Sequence, residues 1–165
     1  MPPILSIIIV SYNTKGLLNN CLKTIINNIS VPNEVIVVDN HSPDDSASFV
    51  AKEYPKVNLI SNSKNYGYNY ANNQALEKAK GDYFLVLNPD TLVTKEAIEQ
   101  MICHLEKNKD IGIIGPQIID LENRLSLSAY PLPNLRDTIE EGILTYNLPE
   151  KFPSFFVSWL YNFYS

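Results

Sequence analysis

The stretch Ile4-Leu5-Ser6-Ile7-Ile8-Ile9-Val10 decides the class of fold. It is aliphatic and rich in β-branched residues, which is typical of a strand buried on both faces. Glu34 to Asp39 repeats this pattern. Between the two, apolar residues recur at helical spacing from Leu17 to Ile29, with Asn13 or Thr14 as the cap. Strand, helix and strand in succession predict a parallel α/β sheet.

The alternation continues along the chain. The further predicted elements are a helix opened by Ser42-Pro43-Asp44-Asp45, strands over 57–61, 82–87 and 111–119, a helix over 68–80 and a helix capped by Thr94. The short links predict a mostly parallel sheet with helices on both faces. We expect residues 1–120 to form one domain and the Pro- and aromatic-rich residues 121–165 to form a second region.

Composition excludes several classes of protein. The chain has 165 residues, of which 45% are hydrophobic, and a formal net charge of -5, so no basic surface is available for nucleic acid. Its two cysteines are far apart, which argues against disulfides or a zinc cluster. No apolar run reaches the ~20 residues of a membrane span, and the N-terminus lacks the basic region of a signal peptide. We therefore expect a cytoplasmic protein.

Ligands of parallel α/β sheets bind beyond the carboxyl ends of the strands. After the second strand, Asp39 can accept a hydrogen bond from a nucleobase imide or from ribose hydroxyls. Tyr12, after the first strand, offers a flat face on which a base could lie. Alternatively, Asp39 and Ser42 cap the next helix and Tyr12 packs locally. The residues alone leave both interpretations open.

Two further segments follow strands. Asn65-Tyr66-Gly67 opens a helix whose amides could face an anion, although Asn and Gly also make ordinary turns. Asn88-Pro89-Asp90-Thr91 ends a strand with a carboxylate and an amide oxygen. Mg²⁺ and Mn²⁺ take such oxygen ligands together with substrate phosphates, so Asp90 is a candidate ligand for a cation that bridges a diphosphate. The alternative is a Pro-Asp turn before a capped helix.

In this order, the motifs resemble those of the family 2 glycosyltransferases, which have the GT-A fold. They are Ile7-Ile8-Ile9-Val10-Ser11-Tyr12-Asn13, Val37-Val38-Asp39-Asn40-His41-Ser42, Asn65-x-Gly67 with Ala71 and Asn73, Gly81-Asp82-Tyr83 and Leu87-Asn88-Pro89-Asp90-Thr91. The last motif looks most like the rhamnosyltransferase-like branch. The resemblance runs through the first predicted domain.

The resemblance implies an inverting transfer of a sugar from a nucleotide diphosphate donor, dTDP-rhamnose or a UDP-sugar, to a glycan or lipid-linked acceptor. The implied donor-binding residues are Ser11, Tyr12, Asn13, Asp39, Asn40, Ser42, Asn65, Gly67, Asn88 and Asp90. Asp90 corresponds to the last acid of the family's Asp-x-Asp metal motif and implies Mg²⁺ or Mn²⁺. Asn88 stands where that motif has its first acid, which weakens the expected carboxylate pair.

No catalytic base is assigned. In the family it is an acid well past the metal motif, in an aromatic-flanked Glu-Asp stretch. Asp137, Glu140 and Glu141 lack that context and are better explained as a solvated helix face. We therefore expect a truncated chain that holds the donor half, with residues 121–165 as the start of an incomplete acceptor-side region.

Two alternative functions follow from the same residues. One is a catalytically inactive nucleotide-binding or assembly module, whose aromatic tail forms a homodimer surface or contacts a membrane. The other is a sugar-phosphate nucleotidyltransferase, but Ser11 to Gly16 is a poor version of the Gly-rich basic loop that this chemistry needs.

For the glycosyltransferase, a lipid-linked acceptor implies a peripheral position at the inner face of the membrane.

Overall fold

The computed structural model describes residues 3–120, 122 and 124–126. They belong to two compact units, one ending at Pro116 and one beginning at Gln117. The predicted domain boundary after residue 120 stays a prediction. The expectations for the helix-like stretch 134–146, for its acidic residues and for the aromatic tail lie outside the described residues.

The first unit alternates strands and helices along the chain. Its elements are β1 (Leu5–Ser11), α1 (Lys15–Asn28), β2 (Asn33–Asp39), α2 (Ser46–Glu53), β3 (Asn58–Ser61), α3 (Tyr68–Leu76), β4 (Tyr83–Leu87) and α4 (Lys95–Lys107). The four strands form one sheet in the order β3-β2-β1-β4, and all three neighbouring pairs are parallel. The predicted parallel α/β sheet is confirmed.

β1 lies at the centre, and all seven of its residues are buried. Alternate side chains point to opposite faces of a strand. Ile7 and Ile9 accordingly join the cluster that contains buried residues of α1, α2 and α4, whereas Ile8 and Val10 pack with Ala71 and Ala75 of α3. Helices therefore cover both faces, as predicted, and the uninterrupted aliphatic run reflects burial on both sides.

The predicted strand over 111–119 is wrong. Only Ile118–Ile119 is a strand, β5, and it pairs antiparallel with β6 (Leu125–Ser126) in the second unit. Ile113, in the middle of the predicted strand, is 93% exposed. An aliphatic run predicts a buried strand only when a layer covers it, and Pro116 lacks the N–H that a strand ladder needs.

The predicted helix start at Ser42 is also wrong. α2 begins at Ser46, and its N-cap residue Asp45 has a left-handed backbone with φ 60°. The Ser42 hydroxyl instead accepts a hydrogen bond from the backbone N–H of Asn13, at 2.9 Å. By contrast, Thr94 caps α4 as predicted, with its Oγ1 accepting from the N–H of Ala97 at 3.3 Å.

Two other predicted helices need adjustment at their ends. Thr14 occupies the N-cap position of α1, but its side chain does not cap the helix. The helix predicted over 68–80 ends at Leu76. Among the described residues, no helix combines the length and the apolar character that crossing a bilayer requires.

Candidate functional site

The predicted ligand-binding residues meet at the carboxyl edge of the sheet. Ser11 and Asp39, the last residues of β1 and β2, are direct partners in the parallel register. The N–H of Asn40 donates to the Ser11 carbonyl at 2.8 Å, and the N–H of Asn62 donates to the Asp39 carbonyl at 2.9 Å. The loops after β1, β2 and β3 are therefore joined by main-chain hydrogen bonds where they leave the sheet.

Asp39 is buried with half of its carboxylate unsatisfied. The residue is 2% exposed, and its Oδ2 accepts a hydrogen bond from the N–H of Ser42 at 3.1 Å. Its Oδ1 is buried and accepts from no described residue. Leaving a buried acceptor unpaired costs about 1–3 kcal/mol, and more when the group is charged. A ligand that brings an N–H or O–H to this oxygen removes that penalty.

The backbone around Asp39 is strained. Asn13, His41 and Asp45 have left-handed conformations, with φ of 56°, 67° and 60°, and all three lie in the β1–α1 and β2–α2 loops. Such conformations cost free energy in residues other than glycine and concentrate at functional sites. Gly67, before α3, has φ 87°, which only glycine adopts without strain. Asn, His and Asp are the non-glycine residues that adopt this conformation most often, so the sequence suits the two loops.

Side chains hold the first two loops together. The Ser11 and Thr14 hydroxyls share a hydrogen bond of 2.8 Å within the β1–α1 loop. Between loops, the Asp44 Oδ2 accepts from the N–H of Lys15 at 2.8 Å, in addition to the bond between Asn13 and Ser42. Ser11 and Ser42 are thus engaged with neighbouring loop residues, and their contribution to the site is the loop conformation they fix.

Asp44 has a perturbed ionisation. Burial acts to raise its pKa, but the hydrogen bonds from the Ser46 hydroxyl and from the N–H groups of Lys15 and Ser46 together outweigh burial and lower the pKa below its ordinary value. The charged form of Asp44 is therefore the one that the loop stabilises.

A network of side-chain amides fixes the β3–α3 loop. Asn40, 2% exposed, donates through Nδ2 to Asn65 Oδ1 at 3.0 Å and to the Gly67 carbonyl at 3.2 Å. Its Oδ1 accepts from Asn62 Nδ2 at 3.0 Å and from the N–H of Tyr66 at 3.2 Å. The side chain of Asn40 is fully used in this way, so it shapes the site rather than facing it.

Asn62 and Gln74 complete the network and were not singled out from the sequence. Two hydrogen bonds of 2.8 and 3.1 Å join their side-chain amides. The available signal was a polar residue directly after β3 and an amide on α3 next to the buried Ala75. Neither signal specifies a partner, because the two residues meet only when α3 packs on the sheet.

Exposed tyrosines lie in the β1–α1 loop, in the β3–α3 loop and in the first turn of α3. Tyr12 follows β1 and is 51% exposed, so its ring is accessible at the same edge as Asp39. Tyr66 and Tyr70 stack on each other with ring centroids 5.0 Å apart. Tyr68, at the start of α3, lies with its hydroxyl 3.4 Å from Asn88 Oδ1. Aromatic faces are thus available beside the polar groups.

Asn88 and Asp90 occupy the far end of the edge, after β4. Both are exposed, and Asp90 forms no ion pair with a described residue. Because β1 separates β2 from β4, Asp39 ends a strand that lies about 10 Å from the strand that Asn88 follows. A base bound at Asp39 would therefore be separated from phosphates bound at Asp90 by the width of two strand spacings.

The donor set suits a cation held by one protein carboxylate. Within the described part of the chain, no three His, Cys, Asp or Glu residues cluster as metal ligands. Mg²⁺ often binds through one or two carboxylates and completes its coordination with waters and substrate phosphates. Asp90, exposed at the sheet edge, fits that arrangement, with Asn88 offering an amide oxygen in place of a second charge.

The turn that carries Asp90 lies on Cys21 of α1. The Cys21 thiol is fully buried and makes a long contact, 3.9 Å, to the carbonyl of Asn88 as a weak donor. Burial, and then the negative charge of Asp90, raise the pKa of this thiol to about 12. Cys21 therefore stays protonated and unreactive.

Comparison with known proteins identifies the family of the chain. A family model described as Glycosyl transferase family 2 matches residues 6–160 of the chain. The chain belongs to that family. A relative in Haemophilus influenzae, named an uncharacterized glycosyltransferase, is 29% identical over 157 residues, which cover 88% of this chain and 49% of the relative. The chain spans half or less of the length of the curated relatives it matches.

Two solved glycosyltransferase structures share the fold. Staphylococcus aureus TarS 1–349 in complex with UDP-GlcNAc aligns with a TM-score of 0.56 and 25% identity, over 64% of this chain and 32% of that one. The mannosyltransferase PcManGT from Pyrobaculum calidifontis, in complex with GDP-Man and Mn²⁺, aligns with a TM-score of 0.57 and 26% identity, over 64% and 33%. The chain therefore has the GT-A fold that its motifs predicted.

Proposed function

We propose that this chain binds a nucleotide diphosphate sugar across the carboxyl edge of its sheet and supplies the donor site for an inverting sugar transfer. The observation that carries the proposal is the buried Asp39 Oδ1, which has no donor among the described residues. An imide N–H of uracil or thymine is the group that satisfies it, with the base lying on the exposed ring of Tyr12.

The diphosphate would lie toward β4. Asp90 would hold a divalent cation there, and Asn88 would contribute an amide oxygen. When bound, Mg²⁺ or Mn²⁺ neutralises the negative charge that develops on the departing diphosphate. The complex of PcManGT with GDP-Man and Mn²⁺ supports a cation in this role.

The remaining predicted residues would shape the donor pocket. Ser11, Asn13 and Ser42 fix the first two loops, and Asn40, Asn65 and Gly67 fix the third. Their hydrogen bonds hold Asp39 and the loop backbones in place before the donor arrives, which reduces the ordering cost of binding.

The donor we propose is dTDP-rhamnose or a UDP-sugar. The Asn-Pro-Asp-Thr sequence favours the first, and the UDP-GlcNAc complex of TarS supports the second. Both bases carry the same imide N–H, so Asp39 accepts either. The acceptor we propose is a glycan or a lipid-linked sugar, and the latter would place the protein at the inner face of the membrane.

The test measures nucleotide binding by calorimetry with UDP, dTDP and CDP, each in Mn²⁺ and in EDTA. UDP and dTDP are expected to bind, more tightly with Mn²⁺. CDP is expected to bind at least about tenfold more weakly, because cytosine presents an acceptor where uracil presents an N–H, which leaves Asp39 Oδ1 unpaired.

Two variants and a control complete the test. Asp39→Asn is expected to lose about tenfold or more in UDP affinity, and Asp90→Asn is expected to lose the gain from Mn²⁺. Asp82→Asn is the matched control, because Asp82 is an exposed acid just before β4, at the opposite edge of the sheet. Equal affinity for CDP and UDP, or no nucleotide binding at all, contradicts the proposal.

A further inference from the structure

Helix α1 presents a polar stripe to the turn that carries Asp90. Cys21, Thr24 and Asn28 are spaced by three and four residues, which places them on one face of the helix. All three contact the segment between β4 and α4, which runs from Asn88 to Thr94. The fully buried neighbours of Cys21 on α1 are aliphatic, and the other partly buried side-chain amide of the helix, Asn19, accepts instead from the Tyr54 hydroxyl at 2.6 Å.

The contacts fix one residue of the segment from both sides of its backbone. Val93 is 6% exposed; its N–H donates to Thr24 Oγ1 at 3.1 Å, and its carbonyl accepts from Asn28 Nδ2 at 2.7 Å. The Thr24 hydroxyl donates in turn to the Cys21 carbonyl at 2.8 Å. Both main-chain polar groups of a buried loop residue are thus satisfied by α1 side chains.

The same helix face reaches the other end of the segment. The Cys21 thiol lies 3.9 Å from the carbonyl of Asn88, which also accepts from the N–H of Thr91 at 3.2 Å. Asp90 lies between these two attachment points. Asp90 belongs to neither a strand nor a helix. The position of its carboxylate therefore depends on the contacts that fix the segment.

We propose that Thr24 and Asn28 are positioning residues that hold the Asn88–Val93 segment so that Asp90 meets the diphosphate and its cation. They act through the backbone of Val93 and do not contact the donor. The proposal rests on the proposed function, since it assigns a cause to the geometry of Asp90. It extends the site to α1, which lies outside the motifs of this chain that resemble the family.

A merely structural role has a different consequence. If Thr24 and Asn28 only stabilise the fold, replacing them lowers the melting temperature and leaves the cation dependence of nucleotide binding unchanged. If they position Asp90, the benefit of Mn²⁺ falls while nucleotide binding in EDTA, which depends on the Asp39 end, stays near that of the wild type.

The experiment uses Thr24→Val, which keeps the shape of the side chain without its hydroxyl, and Asn28→Leu. Thr24→Ser keeps the hydroxyl and serves as the conservative rescue. Ser30→Ala is the matched control, because the Ser30 hydroxyl donates to Glu99 of α4 at 2.9 Å. Circular dichroism and thermal unfolding identify the variants that are folded at the temperature of the binding measurement.

Calorimetric titrations of UDP in Mn²⁺ and in EDTA provide the readout. For Thr24→Val and Asn28→Leu we expect the gain in UDP affinity from Mn²⁺ to fall about tenfold. Losses of this size are typical for residues that orient a metal ligand without contacting the metal. Thr24→Ser and Ser30→Ala are expected to stay within about twofold of the wild type. If Thr24→Val does not fold, Asn28→Leu and Thr24→Ser carry the comparison.

The outcomes separate this proposal from the proposed function. A wild-type chain that binds no UDP, or gains nothing from Mn²⁺, overturns the proposed function and this inference with it. A wild type that gains from Mn²⁺, with variants that gain equally, overturns the positioning role alone. A loss of equal size in Mn²⁺ and in EDTA also overturns it, because it shows a general effect on the fold.

Discussion

The two ends of the candidate site are built in opposite ways. At the Asp39 end the acid is 2% exposed, and neighbouring side-chain amides fix the loops around it. At the Asp90 end the acid is exposed, and the segment that carries it is hydrogen-bonded to Thr24 and Asn28 of α1. One acid is therefore enclosed among hydrogen-bonded loops, whereas the other is exposed on a segment that is hydrogen-bonded to α1.

This difference matches the chemistry proposed for each end. Recognising a base by a single hydrogen bond requires a buried, fixed acceptor. A base without a matching donor leaves that acceptor unpaired, and the free-energy penalty is largest where no water can replace the donor. A cation that also binds water and phosphate oxygens needs an accessible ligand instead. In the proposed function the Asp39 end would select the nucleotide, and the Asp90 end would hold the cation that meets the diphosphate.

The largest effect is expected from breaking the enclosed end with Asn40→Ala. The substitution removes the four hydrogen bonds of the Asn40 side chain, which include those to the N–H of Tyr66 and to the carbonyl of Gly67. We expect a loss of about 2–4 kcal/mol in the free energy of unfolding, measured in urea, and weaker UDP binding.

Asn58→Ala is the matched control for Asn40→Ala. Asn58 is an exposed amide at the start of β3 that donates to Glu34 Oε2 at 3.2 Å. We expect its free energy of unfolding to change by about 0.5 kcal/mol or less. If the two variants have similar stabilities, the amide network is not what fixes the Asp39 end.

The sequence predicts the sheet better than it predicts the loops. β1 and β2 are long aliphatic runs because both faces are covered, and that burial is visible in the residues themselves. The same criterion failed at 111–119, where Ile113 is 93% exposed. Local pattern reports apolar character, whereas burial depends on what packs there.

The site residues divide along the same line. Asp39 and Asp90 were recognisable because the first ends a strand and the second follows one, each within a sequence motif. Asn65 and Gly67 were also recognisable, but their hydrogen bonds to Asn40 were not, because the partners of Asn40 lie 22 to 27 residues away in sequence and meet it through the loop after β3. The polar stripe of α1 was hidden for the same reason: Thr24 and Asn28 look like ordinary surface positions until the β4–α4 segment lies against them.

A smaller effect is expected from acidifying the loops of the enclosed end. The pKa of Asp44 is lowered, so its hydrogen bonds stabilise the fold fully above its unfolded pKa, about 3.9. That contribution is lost as the pH falls through the folded pKa. We expect the melting temperature of the wild type to fall below about pH 4, and Asp44→Asn to make the fall shallower.

Asp82→Asn again provides the control for Asp44→Asn, since Asp82 lies at the opposite edge of the sheet. Melting temperatures between pH 6 and pH 2.5 are compared for the three proteins. A pH profile of Asp44→Asn that is parallel to the wild-type profile shows that the Asp44 carboxylate does not stabilise these loops.

The smallest effect concerns the thiol beneath the open end. Cys21 is fully buried with its pKa raised to about 12, whereas Cys103 is exposed on α4. Because the thiolate is the reactive form, iodoacetamide at pH 8 is expected to modify Cys103 readily and Cys21 only after unfolding. A Cys103→Ser variant isolates the reaction of Cys21, which mass spectrometry follows over time.

If the Asp90 turn is held as firmly as its contacts with α1 indicate, Thr24→Val speeds this reaction and the Ser30→Ala control does not. Rapid modification of Cys21 in the folded chain contradicts that picture, because the thiol is fully buried and lies against the Asn88 carbonyl. The open end of the site would then be loose as well as exposed, and the donor, rather than α1, would have to order Asp90.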